Sequence, residues 1–315
     1  MRAADSKLAL RATWLATRVA GVVSPRLAGA PAARLWFTPW RVPAGERHAR
    51  RQEEWLRPTE ALSFEVESNR IAGYTAGDGP TVLLIHGWGE SGASLGAFVA
   101  PLVAEGYRVV GIDLPGHGAS DGGQTDGFRV AAAIRGVCDA LGGVRAVVAH
   151  SMGATTSLYA ASEGMPVDAL VLIAPSPRLD HALKRFAELL ALSPNAVRGL
   201  KATIERRYGP GVWGTFSGER AASCVRVPGL IVHDRDDPQV ALEDSEGLHA
   251  AWRGSRLVTT EALGHGKILR DPKVLEEVMS FLAEVAPARP PLTRRHDGAQ
   301  VRSPARDERV HAVDA

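Results

Sequence analysis

Ala146-Val147-Val148-Ala149-His150-Ser151-Met152-Gly153 is an apolar run that stops at a serine, and the residues after it, Ala154–Ser162, are spaced for a helix. A strand that turns sharply into a helix at a serine lifts that hydroxyl above the end of a sheet. Such a turn is crowded, so the positions two before and two after the serine must be small, and Ala149 and Gly153 are. A serine that only caps a helix is the plainer reading. The surrounding order of elements decides between the two.

That order repeats in both directions. Short apolar runs occur at Thr81–His86, Arg108–Asp113, Ala146–His150, Ala169–Ala174, Gly229–His233 and Arg256–Thr260. Most are continuous, as strands covered on both faces are. Helical stretches lie between them, around Leu95–Ala104, Phe128–Leu141, Ala154–Ser162, Ser245–Trp252 and Pro272–Ala286. Upstream, Leu62, Phe64 and Val66 alternate with polar neighbours and Ile71–Tyr74 follows Ser68-Asn69, a β-hairpin signature. The alternation predicts an α/β fold over residues 61–286, with a doubly wound, mostly parallel sheet.

The link from Ala174 to Val227 is too long for a simple crossover. Its helical segments, His181–Leu192 and Asn195–Arg207, are divided by Pro194 and closed by Gly209-Pro210-Gly211. They predict a small helical cap inserted before the fifth of these runs, at about residues 176–224. Residues 1–60 read as a helical extension, with Leu8, Ala12, Leu15, Val19 and Val22 recurring among Lys7, Arg11 and Arg18. The extension is expected to pack on the main domain. The competing reading is a basic amphipathic helix resting on a membrane surface. Residues 287–315, charged, proline-containing and poor in large apolar groups, are expected to be a disordered tail.

Composition excludes several classes of function. At 315 residues, 45% of them hydrophobic, the chain can build a sizeable core. A net charge of +2 offers no sign of a nucleic-acid partner. Cys138 and Cys224 are too few for a disulfide framework, and no Cys/His spacing suits a metal. The apolar stretch Val19–Val23, bracketed by Arg18 and Arg26, falls far short of the roughly 20 residues a membrane span needs. The start is a poor match to a secretory signal, so a cytoplasmic location is the expectation.

Four further motifs surround Ser151. His86-Gly87-Trp88-Gly89 ends the first of these runs, and Asp113-Leu114-Pro115-Gly116-His117-Gly118-Ala119-Ser120 follows the second. Leu230-Ile231-Val232-His233 runs into Asp234-Arg235-Asp236-Asp237-Pro238, and Leu263-Gly264-His265-Gly266 follows the last run. Together with Ala149-His150-Ser151-Met152-Gly153, these resemble the landmarks of the α/β-hydrolase fold family over residues 61–286, the cap excepted. Ala149 departs from that family's usual Gly-x-Ser-x-Gly, but stays small.

The resemblance implies Ser151 as nucleophile, His265 as its base and Asp237 as the acid that orients the base, in the family's chain order. Asp236, one residue earlier, is the alternative acid. It also implies an oxyanion hole from the backbone N–H groups of Trp88 and Met152, whose side chains would line an acyl pocket. Asp113 and His117 are read as holding their loop by hydrogen bonds. A serine needs such a base to become nucleophilic.

Serine at the turn favours acyl transfer without a cofactor. The first expectation is hydrolysis of a small or medium carboxylic ester. A carbon–carbon hydrolase, thioesterase, lactonase or acyltransferase on the same residues is the second, and a non-catalytic ligand-binding protein the third. The cap carries Arg178, Lys184, Arg185, Arg198, Lys201, Arg206 and Arg207. These fit either an anionic substrate or a solvated helix face. Leu189, Leu190 and Leu192 suggest an apolar underside.

Overall fold

Valine, leucine and isoleucine runs buried on both faces form the centre of an eight-stranded sheet in the computed structural model, which describes residues 3–40 and 46–288. The strands are β1 (Glu60–Val66), β2 (Asn69–Ala76), β3 (Thr81–Ile85), β4 (Arg108–Ile112), β5 (Ala146–His150), β6 (Leu170–Ile173), β7 (Gly229–Asp234) and β8 (Ser255–Thr260). Their order is β1-β2-β4-β3-β5-β6-β7-β8. β1 and β2 form an antiparallel hairpin, β2 meets β4 antiparallel, and all other pairs are parallel. Every residue of β5, β6 and β7 is buried, so their sequences show no alternation. β1, at the edge, keeps the half-buried pattern of a strand with one wet face.

The helices are α1 (Ala3–Val23), α2 (Pro25–Phe37), α3 (Glu46–Leu56), α4 (Val99–Ala104), α5 (Gly127–Ala140), α6 (Ser151–Ser162), α7 (Leu179–Leu189), α8 (Pro194–Tyr208), α9 (Val212–Thr215), α10 (Gly218–Cys224), α11 (Leu242–Ala251), α12 (Gly264–Lys267) and α13 (Pro272–Val285). On one face of the sheet Leu83, Ile85 and Val147 pack with Ile134, Leu158, Ala222, Leu248 and Trp252, from α5, α6, α10 and the α11 end. On the other, Val82, Leu84 and Val148 pack with Leu102, Val274, Val278 and Phe281, from α4 and α13. Consecutive strand residues thus serve opposite layers.

A third cluster lies apart from the sheet. Ala32, Ala33 and Phe37 of α2 pack with Leu183 of α7, Leu200 and Ile204 of α8 and Val212 of α9. The extension was expected to pack on the main domain, and it meets two parts of it. α3 meets the sheet side, with Trp55 against Gly96, while α1 and α2 join the inserted helices. The break between α1 and α2 comes from Ser24-Pro25: the Ser24 hydroxyl accepts the Arg26 N–H at 3.2 Å, and Pro25 takes a first-turn position where no N–H is needed. The expected 176–224 insertion also includes α10, whose Ala221 and Ala222 pack in the sheet-side core as an ordinary crossover helix does. The tail expected over residues 287–315 lies, from residue 289 onward, outside the described residues.

Candidate active site

Ser151 sits at the junction of β5 and α6 with φ of 52°, a left-handed conformation that a side-chain-bearing residue adopts only where its surroundings impose it. Those surroundings are close. A side chain at Gly153 would collide with the His86 carbonyl and come within 2.8 Å of Ile85, and one at Gly87 would come within 3.1 Å of the Ser151 Cβ. The small residues beside the serine are therefore a packing requirement of the turn.

Three side chains far apart in the chain meet above the carboxyl ends of β5, β7 and β8. Ser151 Oγ lies 3.0 Å from His265 Nε2, and His265 Nδ1 lies 2.6 Å from Asp237 Oδ2. The other Asp237 oxygen accepts the N–H groups of Gln239, at 2.7 Å, and Val240, at 3.1 Å. This fixes the carboxylate with one oxygen free to face the imidazole. An ionised carboxylate only accepts, so Nδ1 of His265 carries the proton and Nε2 is left to accept from the serine. Burial would raise the Asp237 pKa; the His265 hydrogen bond and the two N–H groups outweigh it, and it lies below the ordinary carboxylate value.

Asp236 turns elsewhere, accepting the Ala262 N–H at 2.8 Å. Asp234, fully buried at the end of β7, accepts from Gly264 N at 2.8 Å, Leu263 N at 3.1 Å and Thr260 Oγ1 at 2.7 Å. The two aspartates bind the histidine loop to the acid-bearing turn from below. Arg185 of α7 holds the same turn, donating to the carbonyls of Pro238 and Gln239.

The Trp88 and Met152 N–H groups make no hydrogen bond among the described residues. Met152 is the second residue of α6, where the helix geometry leaves N–H groups without an internal partner. The Trp88 ring stands edge-on to His117, with centroids 5.3 Å apart, and Met152 packs half-buried against the α5 and α6 core. The loop beneath is held as its residue types suggest: Asp113 accepts from Gly92 N and Ala119 N, and His117 Nε2 accepts from Gly89 N.

One pair escaped the sequence reading. His150, fully buried, has its Nε2 3.1 Å from the His265 carbonyl and its Nδ1 3.2 Å from Glu90 Oε2. Both ring nitrogens face acceptors, an arrangement that suits the doubly protonated ring. Burial works against that charge, but the Glu90 carboxylate overcomes it and raises the His150 pKa. Burial likewise opposes ionised Glu90, yet His150 and the Gly87 N–H bring its pKa down to about 2. The His150 and His265 rings are 4.6 Å apart. Burial lowers the His265 pKa; Asp237 opposes this and the neighbouring His150 ring, when charged, adds to it, leaving the value below that of a free imidazole. The available signal was a histidine directly before the serine and a carboxylate four residues after His86, which becomes informative only once β3 and β5 are known to be neighbours.

Comparison with known proteins agrees with the architecture. A family model described as the alpha/beta hydrolase fold matches residues 80–208. A pimeloyl-[acyl-carrier protein] methyl ester esterase of Xanthomonas campestris is 39% identical over 184 residues, covering 55% of this chain and 68% of that one. The chain spans only 40% of the like-named enzyme of Methylococcus capsulatus, at 37% identity. An uncharacterized protein of Mycobacterium tuberculosis aligns over 86% of this chain and 96% of its own length at 26% identity. Among solved structures, a Pyrococcus furiosus esterase superposes with a TM-score of 0.63 over 79% of this chain and 98% of its own, at 19% identity. The chain belongs to the α/β-hydrolase fold family.

Proposed function

We propose that the protein is a serine hydrolase that cleaves a small or medium carboxylic ester through an acyl-enzyme on Ser151. The observation that carries this reading is the unbroken relay Asp237–His265–Ser151, with contacts of 2.6 and 3.0 Å. His265 Nε2 takes the hydroxyl proton as Ser151 Oγ bonds to the ester carbonyl carbon, and the carbonyl electron pair moves onto its oxygen. The N–H groups of Trp88 and Met152, with no hydrogen-bond partner among the described residues, are suited to bind that oxyanion. The intermediate then expels the alkoxide, which leaves as alcohol with the proton from His265. Water, deprotonated by His265 in turn, attacks the acyl carbon; the bond to Ser151 Oγ breaks, the serine takes that proton back from His265, and the acid is released. Asp237 holds the imidazole in its working tautomer and stabilises its charged form.

The esterase names of the Xanthomonas and Methylococcus relatives support an ester as the substrate class. The test is a panel of p-nitrophenyl esters of increasing acyl length beside a fluorophosphonate probe. Turnover and probe labelling that both vanish in Ser151→Ala are the expected result. A folded Ser151→Ala protein that still turns over esters would overturn the assignment.

A further inference from the structure

We propose that the outer face of α1 and the start of α2 is a docking surface for an anionic lipid bilayer. Helices on a folded domain normally turn their apolar side inward. α1 does the reverse over the residues whose side chains are described. Its inner side carries Trp14, Thr17 and Gly21: the Trp14 indole donates to the Leu190 carbonyl at 2.8 Å, Thr17 and Gly21 are buried, and Asn195 donates to the Gly21 carbonyl at 2.8 Å. Its outer side carries Leu15, 57% exposed, Val19, 62%, Val22, 81%, and Val23, 70%, with Leu27 of α2 at 60%. Leu189 of α7, next to the residue that receives the Trp14 bond, is 68% exposed. Contiguous exposed apolar side chains of this kind mark an interaction site.

Charge identifies the occupant. From Ser6 to Gly45 the sequence has six cationic residues and no acidic one, in a chain whose net charge is only +2. Arg11, Arg18 and Arg26 are exposed along the apolar stripe, with the Arg18 guanidinium held 5.0 Å over the Trp14 ring. A second copy docked face to face would bring these cations together with no acid of their own segment between them. The chain after Ala288 is a poor cover, because its 27 residues include six arginines and only four large aliphatic side chains. Lipid phosphates complement the arginines while the leucine and valines sink to the acyl boundary. No helix among the described residues is long and apolar enough to cross a membrane, so the contact is one of surface attachment.

The test is cosedimentation of the full chain with vesicles of phosphatidylcholine and phosphatidylglycerol, against vesicles of phosphatidylcholine alone. The anionic vesicles should pellet the protein, and added salt should release it. Each arginine near such a surface strengthens binding about fivefold, so Arg11→Glu with Arg18→Glu should weaken it at least about 25-fold. Leu15→Ser with Val19→Ser, at exposed positions, should weaken it while leaving the melting temperature and fluorophosphonate labelling of Ser151 unchanged. Three results would overturn the proposal: no pelleting at low salt, pelleting that survives both pairs of changes, or a wild-type dimer that Leu15→Ser with Val19→Ser makes monomeric. Failure of Ser151 to label would count against the proposed function and leave the vesicle result standing.

Discussion

The carboxyl edge of the sheet and the α1–α2 layer are assembled in opposite ways. At the sheet edge the described polar groups are largely paired: Asp234, Asp236 and Asp237 alone take up the N–H groups of six neighbouring residues, and Glu90 and His150 close the network from the other side. The α1–α2 layer is held by apolar packing and, where α2 crosses α8, by small residues that let the helices touch. A side chain at Gly29 would come within 2.7 Å of the Gly199 carbonyl, and one at Gly199 would run into the Pro25 carbonyl. Directional bonding fixes positions to fractions of an ångström, as chemistry requires. Close packing of small residues fixes only that two helices meet. If this contrast holds, damage at the edge should appear in rate, and damage in the layer should appear in stability.

Ser151→Ala makes the contrast sharpest. It removes the nucleophile without creating a cavity of consequence, so ester turnover should fall by about 10⁴-fold or more while the melting temperature stays within a degree or so. Relief of the strained φ at 151 needs a glycine, not alanine, so no large stabilisation is expected either.

Asp237→Asn should come next, at about 10³- to 10⁴-fold in kcat. The N–H groups of Gln239 and Val240 would retain the amide oxygen. The amide NH₂ would then face His265 Nδ1 and force it to accept. Nε2 would carry the proton and point it at the serine, the wrong tautomer for a base. Asp236→Asn, which alters only the loop contact to Ala262, should cost far less. Equal losses in the two variants, measured as kcat on one ester, would remove the distinction between the two aspartates.

The same contrast explains what the sequence made legible. The apolar runs, the serine turn, the Asp-rich turn and the Gly-His loop each leave a local mark, because one short segment must satisfy its own geometry. The family resemblance that those marks carry pointed to Ser151, His265 and Asp237, with Asp236 as the alternative acid, and only coordinates give their separations. The Glu90–His150 pair could not be read that way, since neither residue is unusual until β3 and β5 lie side by side. Nor could the division of residues 1–60. The Gly29–Gly199 contact joins positions 170 apart in sequence, and glycine and alanine at a helix crossing look like any helix interior. Ser24-Pro25, a cap and first-turn proline, marks the break between α1 and α2, which stay together, and says nothing of where α3 parts from them.

His150→Gln probes the edge at an intermediate level. The fall in kcat should be about tenfold, because the ring touches the His265 carbonyl and not the reacting atoms. The pH profile separates positioning from general disruption. His265 works as a neutral base, so kcat/KM rises as it loses its proton, and its lowered pKa puts that rise below the ordinary imidazole value of about 6.5. A charged His150 ring contributes to the lowering. Replacing it by a neutral amide makes His265 easier to protonate, so the rise should move to higher pH. A rate loss with an unmoved profile would reduce His150 to a packing residue.

Gly199→Ala should have the smallest effect on chemistry and tests the other half of the contrast. Its methyl group meets the Pro25 carbonyl and comes within 2.9 Å of Gly29, so α2 and α8 must separate. Overpacking of this kind costs about 1–3 kcal/mol, which should lower the melting temperature by several degrees. The labelling rate of Ser151 by a fluorophosphonate should hardly change, since none of the contacts that place Ser151, His265 and Asp237 involves α2 or α8. Among the described residues, Arg185 on α7 links the cap to the acid-bearing turn by hydrogen bonds. A slower labelling rate in Gly199→Ala would therefore mean that strain in the α2–α8 crossing travels through α7 to the Asp237 turn. The two regions would then be one mechanical unit, and Arg185→Ala should reproduce the slowing without the loss of stability.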